Sequence, residues 1–98
     1  MRSLILIAYD IADDKRRNKI FQKLKGYGRP LQYSLFCCKL TASERQRLRS
    51  ELWPCLDHRA DRLVWVDLGP VHGRVAAALE CWGQPLSDDH DNASSIII

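Results

Sequence analysis

The chain has 98 residues, 46% of them apolar and 28% charged, which is enough hydrophobic material for one packed core and too little for two. Its longest apolar run, Leu4 to Tyr9, meets Asp10 at once and falls far short of the roughly 20 residues that cross a bilayer, so no membrane span is expected. The run is also too short and too near Met1 for a secretory signal, which leaves a cytoplasmic location as the expectation. A net charge of +3 hides an asymmetry: residues 1–50 carry twelve Lys and Arg against four acids, and residues 51–98 carry three against eight. A basic front half of this kind attracts polyanions, nucleic acid first, with a solvated helix face as the plainer alternative.

In chain order, Leu4 to Tyr9 is apolar on both alternating faces, the pattern of a strand covered on both sides and central in a sheet. Asp13 then caps a helix whose inner stripe is Ile20, Phe21 and Leu24, stopped by Gly26 or Gly28. Arg16, Lys19 and Lys23 face outward, whereas Arg17 falls on the inner stripe one turn nearer the helix start and is expected to point along the end of the sheet. Leu31 to Leu40 alternates Gln32, Ser34, Phe36, Cys38 against Tyr33, Leu35, Cys37 and contains no Gly, Asn or Asp turn, which predicts one bulged or bent strand. Thr41 and Glu44 make a capping box for a second helix with a stripe of Leu48, Leu52 and Cys55 or Leu56, shortened or bent at Pro54. Leu63 to Leu68 is a further strand stopped by Gly69-Pro70, and Leu79 to Trp82 reads as a short last one.

Strands alternating with helices in so short a chain predict two layers, an α+β sandwich of ferredoxin-like type with an antiparallel sheet and both helices on one face. The expected domain covers residues 1–86, and 87–98 form a polar tail ending in Ile96-Ile97-Ile98, a β-branched segment suited to a sheet edge. The uncovered face would expose some of Leu4, Leu6, Tyr33, Leu35 and Trp65, and a two-fold homodimer through it would bury them. Cys37 and Cys38 are adjacent while Cys55 and Cys81 lie far off, so no Cys-x-x-Cys spacing exists and all four read as reduced small hydrophobes.

Asp10 is the carboxylate placed directly at the end of a buried strand, held as rigidly as a hard-cation ligand must be. One Asp makes a poor site, but two copies meeting near a dimer axis could share one Mg2+ and leave room for water and a phosphate oxygen. The alternative is that Asp10 merely ends the strand; Asp13 and Asp14 read as cap rather than ligand. Arg17, with Arg16, Lys19 and Arg29, could hold backbone phosphates beside the ion, or serve as surface charge. Tyr9 and Phe36 could stack on bases, although strand aromatics more often belong to the core, and nothing places His72 near Asp10.

The segments Leu4-Ile5-Leu6-Ile7-Ala8-Tyr9-Asp10-Ile11, Asp13-Asp14-Lys15-Arg16-Arg17-Asn18, Gly28, Gln32-Tyr33-Ser34-Leu35-Phe36 and Leu68-Gly69-Pro70 closely resemble, in order and spacing, the small CRISPR-associated nuclease of spacer acquisition, the "Cas two" family. The resemblance implies a ferredoxin-like homodimer that binds a divalent metal, usually Mg2+, between the two copies of Asp10. It further implies a metal-dependent endonuclease on RNA or double-stranded DNA, acting in antiviral defence beside the CRISPR integrase subunit. Tyr9, Arg17, Ser34 and Phe36 match family positions near the metal or the substrate groove, and Arg29 does so more weakly because its loop varies in length. Cys37-Cys38 depart from the family pattern. The alternative is a non-catalytic DNA-bridging scaffold of the spacer-integration complex, and a remoter one is an RNA-cleaving toxin of related fold.

Overall fold

The computed structural model describes residues 1–72 and 78–84. The elements run β1 (Ser3–Asp10), α1 (Asp14–Lys25), β2 (Gly28–Gln32), β3 (Leu35–Leu40), α2 (Ala42–Leu52), a 3-10 turn (Trp53–Cys55) and β4 (Arg62–Pro70). The four strands form one antiparallel sheet in the order β2-β3-β1-β4, so β1 is central as its two apolar faces require. Both helices pack on one face of it, giving the ferredoxin-like α+β sandwich.

The main core lies between that face and the helices: Ile5, Ile7 and Tyr9 of β1 and Phe36, Cys38 and Leu40 of β3 meet Ile20 and Leu24 of α1, Leu48 and Leu52 of α2, and Cys55. Asp13 caps α1 by accepting from the Arg16 amide at 2.9 Å. At α2 the capping box closes both ways, Thr41 N donating to Glu44 at 2.9 Å and Glu44 N donating to Thr41 Oγ1 at 3.1 Å. Pro54 ends α2 in the 3-10 turn, as its missing amide dictates. Burial pushes the Cys37 thiol up to about 11 and the Cys38 thiol to about 12, so both stay protonated hydrophobes.

The structure corrects the sequence reading at three places. Leu31 to Leu40 is not one strand but a hairpin, with Tyr33 and Ser34 as its turn and a register shift between Pro30 and Gln32. The turn needs no Gly or Asn because β1 holds it: Tyr9 N donates to the Ser34 carbonyl at 3.0 Å and Tyr9 Oη to the Tyr33 carbonyl at 3.1 Å. Leu79 to Trp82 is not a strand; Leu79 instead packs in a second cluster with Leu4, Leu6, Leu31, Cys37 and Leu68 on the face opposite the helices. Trp65 pairs with Ile7 and joins the helix-side core, and Tyr33 sits in the turn, so neither belongs to the uncovered sheet face. The expected boundary at 86, the tail 87–98 and the Ile96–Ile98 segment lie outside the described residues.

Candidate nucleic-acid and metal site

Strand alternation decides where Asp10 points. Tyr9 turns under the helices, so Asp10 shares the opposite face with Leu6 and Ala8. There it is exposed, and the antiparallel register sets it directly across from Arg62 of β4. Its carboxylate enters none of the four ion pairs among the described residues. The described residues hold no group of three or more His, Cys, Asp or Glu that could hold a metal, so one chain offers a single rigid oxygen donor. That donor set fits Mg2+, which keeps most of its waters and takes one or two carboxylates, only when a second copy supplies the other.

On the helix side of the same strand end, Tyr9, Asp14, Arg17, Asn18, Phe21, Tyr33 and Ser34 line a depression of about 460 Å³. Arg17 lies where its stripe position predicts: Nη1 donates to the Ile11 carbonyl at 3.0 Å, one residue past Asp10, and Nη2 pairs with Asp14. Burial raises the Tyr9 phenol above its ordinary value, against a smaller lowering by the nearby Arg17 charge, so it remains a hydrogen-bond donor. Three residues named from sequence, Tyr9, Arg17 and Ser34, thus converge; Asp10 does not line this depression but stands on the other side of the strand.

The remaining sequence candidates are placed otherwise. Arg16 does not face solvent freely: Nε and Nη2 donate to the two oxygens of Asp61 at 2.8 and 3.0 Å. Asp61 also accepts from the Ala12 and Asp57 amides, each at 2.9 Å, and its side chain is fully shielded. The Arg16 guanidinium, helped by those amides, holds the Asp61 carboxyl well below the usual carboxylate range. Arg16 therefore ties the first turn of α1 to the loop before β4. Lys19 is exposed on α1, outside the depression. Arg29 is only 8% exposed, pairs with Cys37 in register, and leaves Nε and Nη1 without hydrogen-bond partners. The structure does not bring it to Asp10. Phe36 is fully buried, 5.4 Å from Phe21 and 6.4 Å from Tyr9 between ring centres, so it positions Tyr9 rather than meeting a base.

Sequence reasoning missed Arg62 and Tyr33. Arg62 was recoverable, since an antiparallel partner entering opposite Asp10 must place the residue just before its apolar run there. Tyr33 was hidden by the unsplit strand; in the turn it is 98% exposed at the rim of the depression.

The family model described as CRISPR associated protein Cas2 matches residues 1–71. The CRISPR-associated endoribonuclease Cas2 1 of Rhodospirillum rubrum is 39% identical over 79 residues, 81% of this chain and 76% of that protein. The CRISPR-associated endoribonuclease Cas2 3 of a Synechocystis species is 38% identical over 82 residues, 84% of this chain and 86% of its own length. Among solved structures, a hypothetical protein from Thermus thermophilus superposes with a TM-score of 0.67 at 34% identity, covering 71% of this chain and 96% of that one. Streptococcus pyogenes Cas2 superposes at 0.63 with 25% identity, covering 67% and 86%.

Proposed function

The chain belongs to the CRISPR associated protein Cas2 family, and on that premise we propose that it is a Mg2+-dependent endonuclease working as a homodimer, with the ion held between the two copies of Asp10. The observation that carries this reading is the exposed Asp10 carboxylate on the sheet face away from the helices, the one face on which a second copy could bring a matching carboxylate. RNA is the first substrate class, because the relatives are named endoribonucleases, and double-stranded DNA the second. The biological setting is CRISPR spacer acquisition in antiviral defence, with the CRISPR integrase subunit as protein partner.

The bound ion would polarise the phosphodiester and acidify the attacking water. The chain's own residues do the rest. β1, held in the middle of the sheet between β3 and β4, fixes the direction of Asp10. Arg62 beside it offers a cation to the phosphate backbone. Arg17 holds the Ile11 carbonyl and so the backbone that follows Asp10, while presenting its charge to the depression that Tyr9 and Ser34 line. The open face, with Leu6, Leu35 and the exposed Val64 (44%) and Val66 (41%), supplies the apolar surface for a two-fold contact.

A second reading, a non-catalytic DNA-bridging scaffold, is favoured by the single carboxylate per chain and the basic front half. The test is purified protein on labelled single-stranded RNA and duplex DNA, with Mg2+ or chelator, beside Asp10→Ala. Cleavage that needs Mg2+ and falls about 100-fold or more in a still dimeric Asp10→Ala supports the enzyme, in line with loss of a metal ligand. Cleavage that survives Asp10→Ala, or binding with no cleavage of either substrate, leaves the scaffold.

A further inference from the structure

Between the end of α2 and the start of β4 lies a second depression, of about 410 Å³, walled by Trp53, Trp65, Leu56, His58, Arg49 and Arg62. Two of the chain's three tryptophans line it. Trp53 is 68% exposed although it caps a helix, and the His58 ring lies 4.1 Å from it between centres. His58 Nε2 donates to the Trp53 carbonyl at 3.1 Å, since a carbonyl can only accept, and this fixes the imidazole against the indole. Arg49 holds its guanidinium 6.0 Å over the Trp65 ring. The one acid in the wall, Asp61, is spent on Arg16 and two backbone amides, so the rim is left cationic.

Flat aromatic faces beside Arg49, which enters no ion pair among the described residues, match a ligand that is itself a flat ring joined to an anion. We propose that this depression is a nucleotide site, with a base of single-stranded nucleic acid stacked on Trp53 and its phosphate met by Arg49. Arg62 borders the depression through the start of β4, but its register partner is Asp10, and strand alternation turns both of these side chains to the face away from Trp65. Unpaired nucleic acid is favoured over duplex, whose bases are already stacked. The inference rests on the reading that the chain engages nucleic acid, and not on cleavage or on the metal.

The test uses full-length protein carrying Trp82→Phe, which removes the exposed third indole, titrated in chelator with a four-nucleotide deoxyadenosine strand. Tryptophan fluorescence is quenched saturably, an abasic strand of equal length binds about tenfold more weakly, and Trp53→Ala loses a similar factor, on the order expected for one stacked base. Trp53→Phe restores most of the affinity, which separates stacking from a folding defect. The proposal is overturned if the abasic strand binds equally well, if Trp53→Ala changes nothing, or if a glutamate-rich peptide quenches as strongly through Trp53. Oligonucleotide binding that is independent of Trp53 defeats this site alone; no binding of any oligonucleotide, duplex included, defeats the nucleic-acid reading beneath it as well.

Discussion

Asp61 carries no sequence motif, yet it takes four hydrogen bonds, two from Arg16 and one each from the Ala12 and Asp57 amides. Its carboxyl is depressed by the Arg16 hydrogen bond first of all, so the stability it adds is fully present above the ordinary aspartate value of about 4 and is lost as pH falls below that value. Asp61→Asn should therefore melt lower than wild type at neutral pH and show a shallower fall in melting temperature on acidification. Thermal denaturation across that range checks this, and parallel curves for the two proteins would contradict it. At the residue scale the sequence exposed Asp10, Asp13 and Arg17, whose placement follows from local strand and helix periodicity. It could not expose the Arg16–Asp61 pair or the Asp10–Arg62 juxtaposition, because each joins residues more than forty positions apart through the register of β4.

Elements with their own signals were legible: β1 from its unbroken apolar run, α1 and α2 from their caps, and β4 from the apolar run Leu63 to Leu68, although the strand is not stopped by Gly69-Pro70 but continues to Pro70, which pairs with Ser3. The β2–β3 hairpin was not, since its turn is held by bonds from Tyr9 instead of by turn residues of its own. Gly28 marks the other end of that hairpin. A Cβ there would sit 2.9 Å from the Cys38 Cα and closer still to the Cys37 carbonyl and the Cys38 sulfur, all of them buried. Gly28→Ala should cost about 1–3 kcal/mol by overpacking, read as a lower urea midpoint with an unchanged slope. A midpoint equal to wild type would show that β2 shifts to make room.

For the whole molecule, the ferredoxin-like sandwich was legible in the alternation of strands and helices, but the distribution of residues over the two sheet faces was not. Leu79 covers part of the second face near Leu4, and what remains is an apolar strip along Leu6, Leu35, Val64 and Val66 that ends at Asp10 and Arg62. If copies join there, Val66→Glu should convert dimer to monomer in light scattering and remove Mg2+-dependent cleavage together, although Asp10 is untouched. A monomer with full activity would separate the two. The basic front half is less free than its composition implies, since Arg2, Arg16, Arg17 and Arg45 each pair with an acid.

That two Asp10 carboxylates grip one cation is tested most directly by counting ions, through calorimetric titration of the dimer with Mn2+ as a stand-in for Mg2+. One ion per two chains is expected, with no binding to Asp10→Asn, whose dimer is unchanged in mass. One ion per chain, or binding that persists in Asp10→Asn, would contradict it.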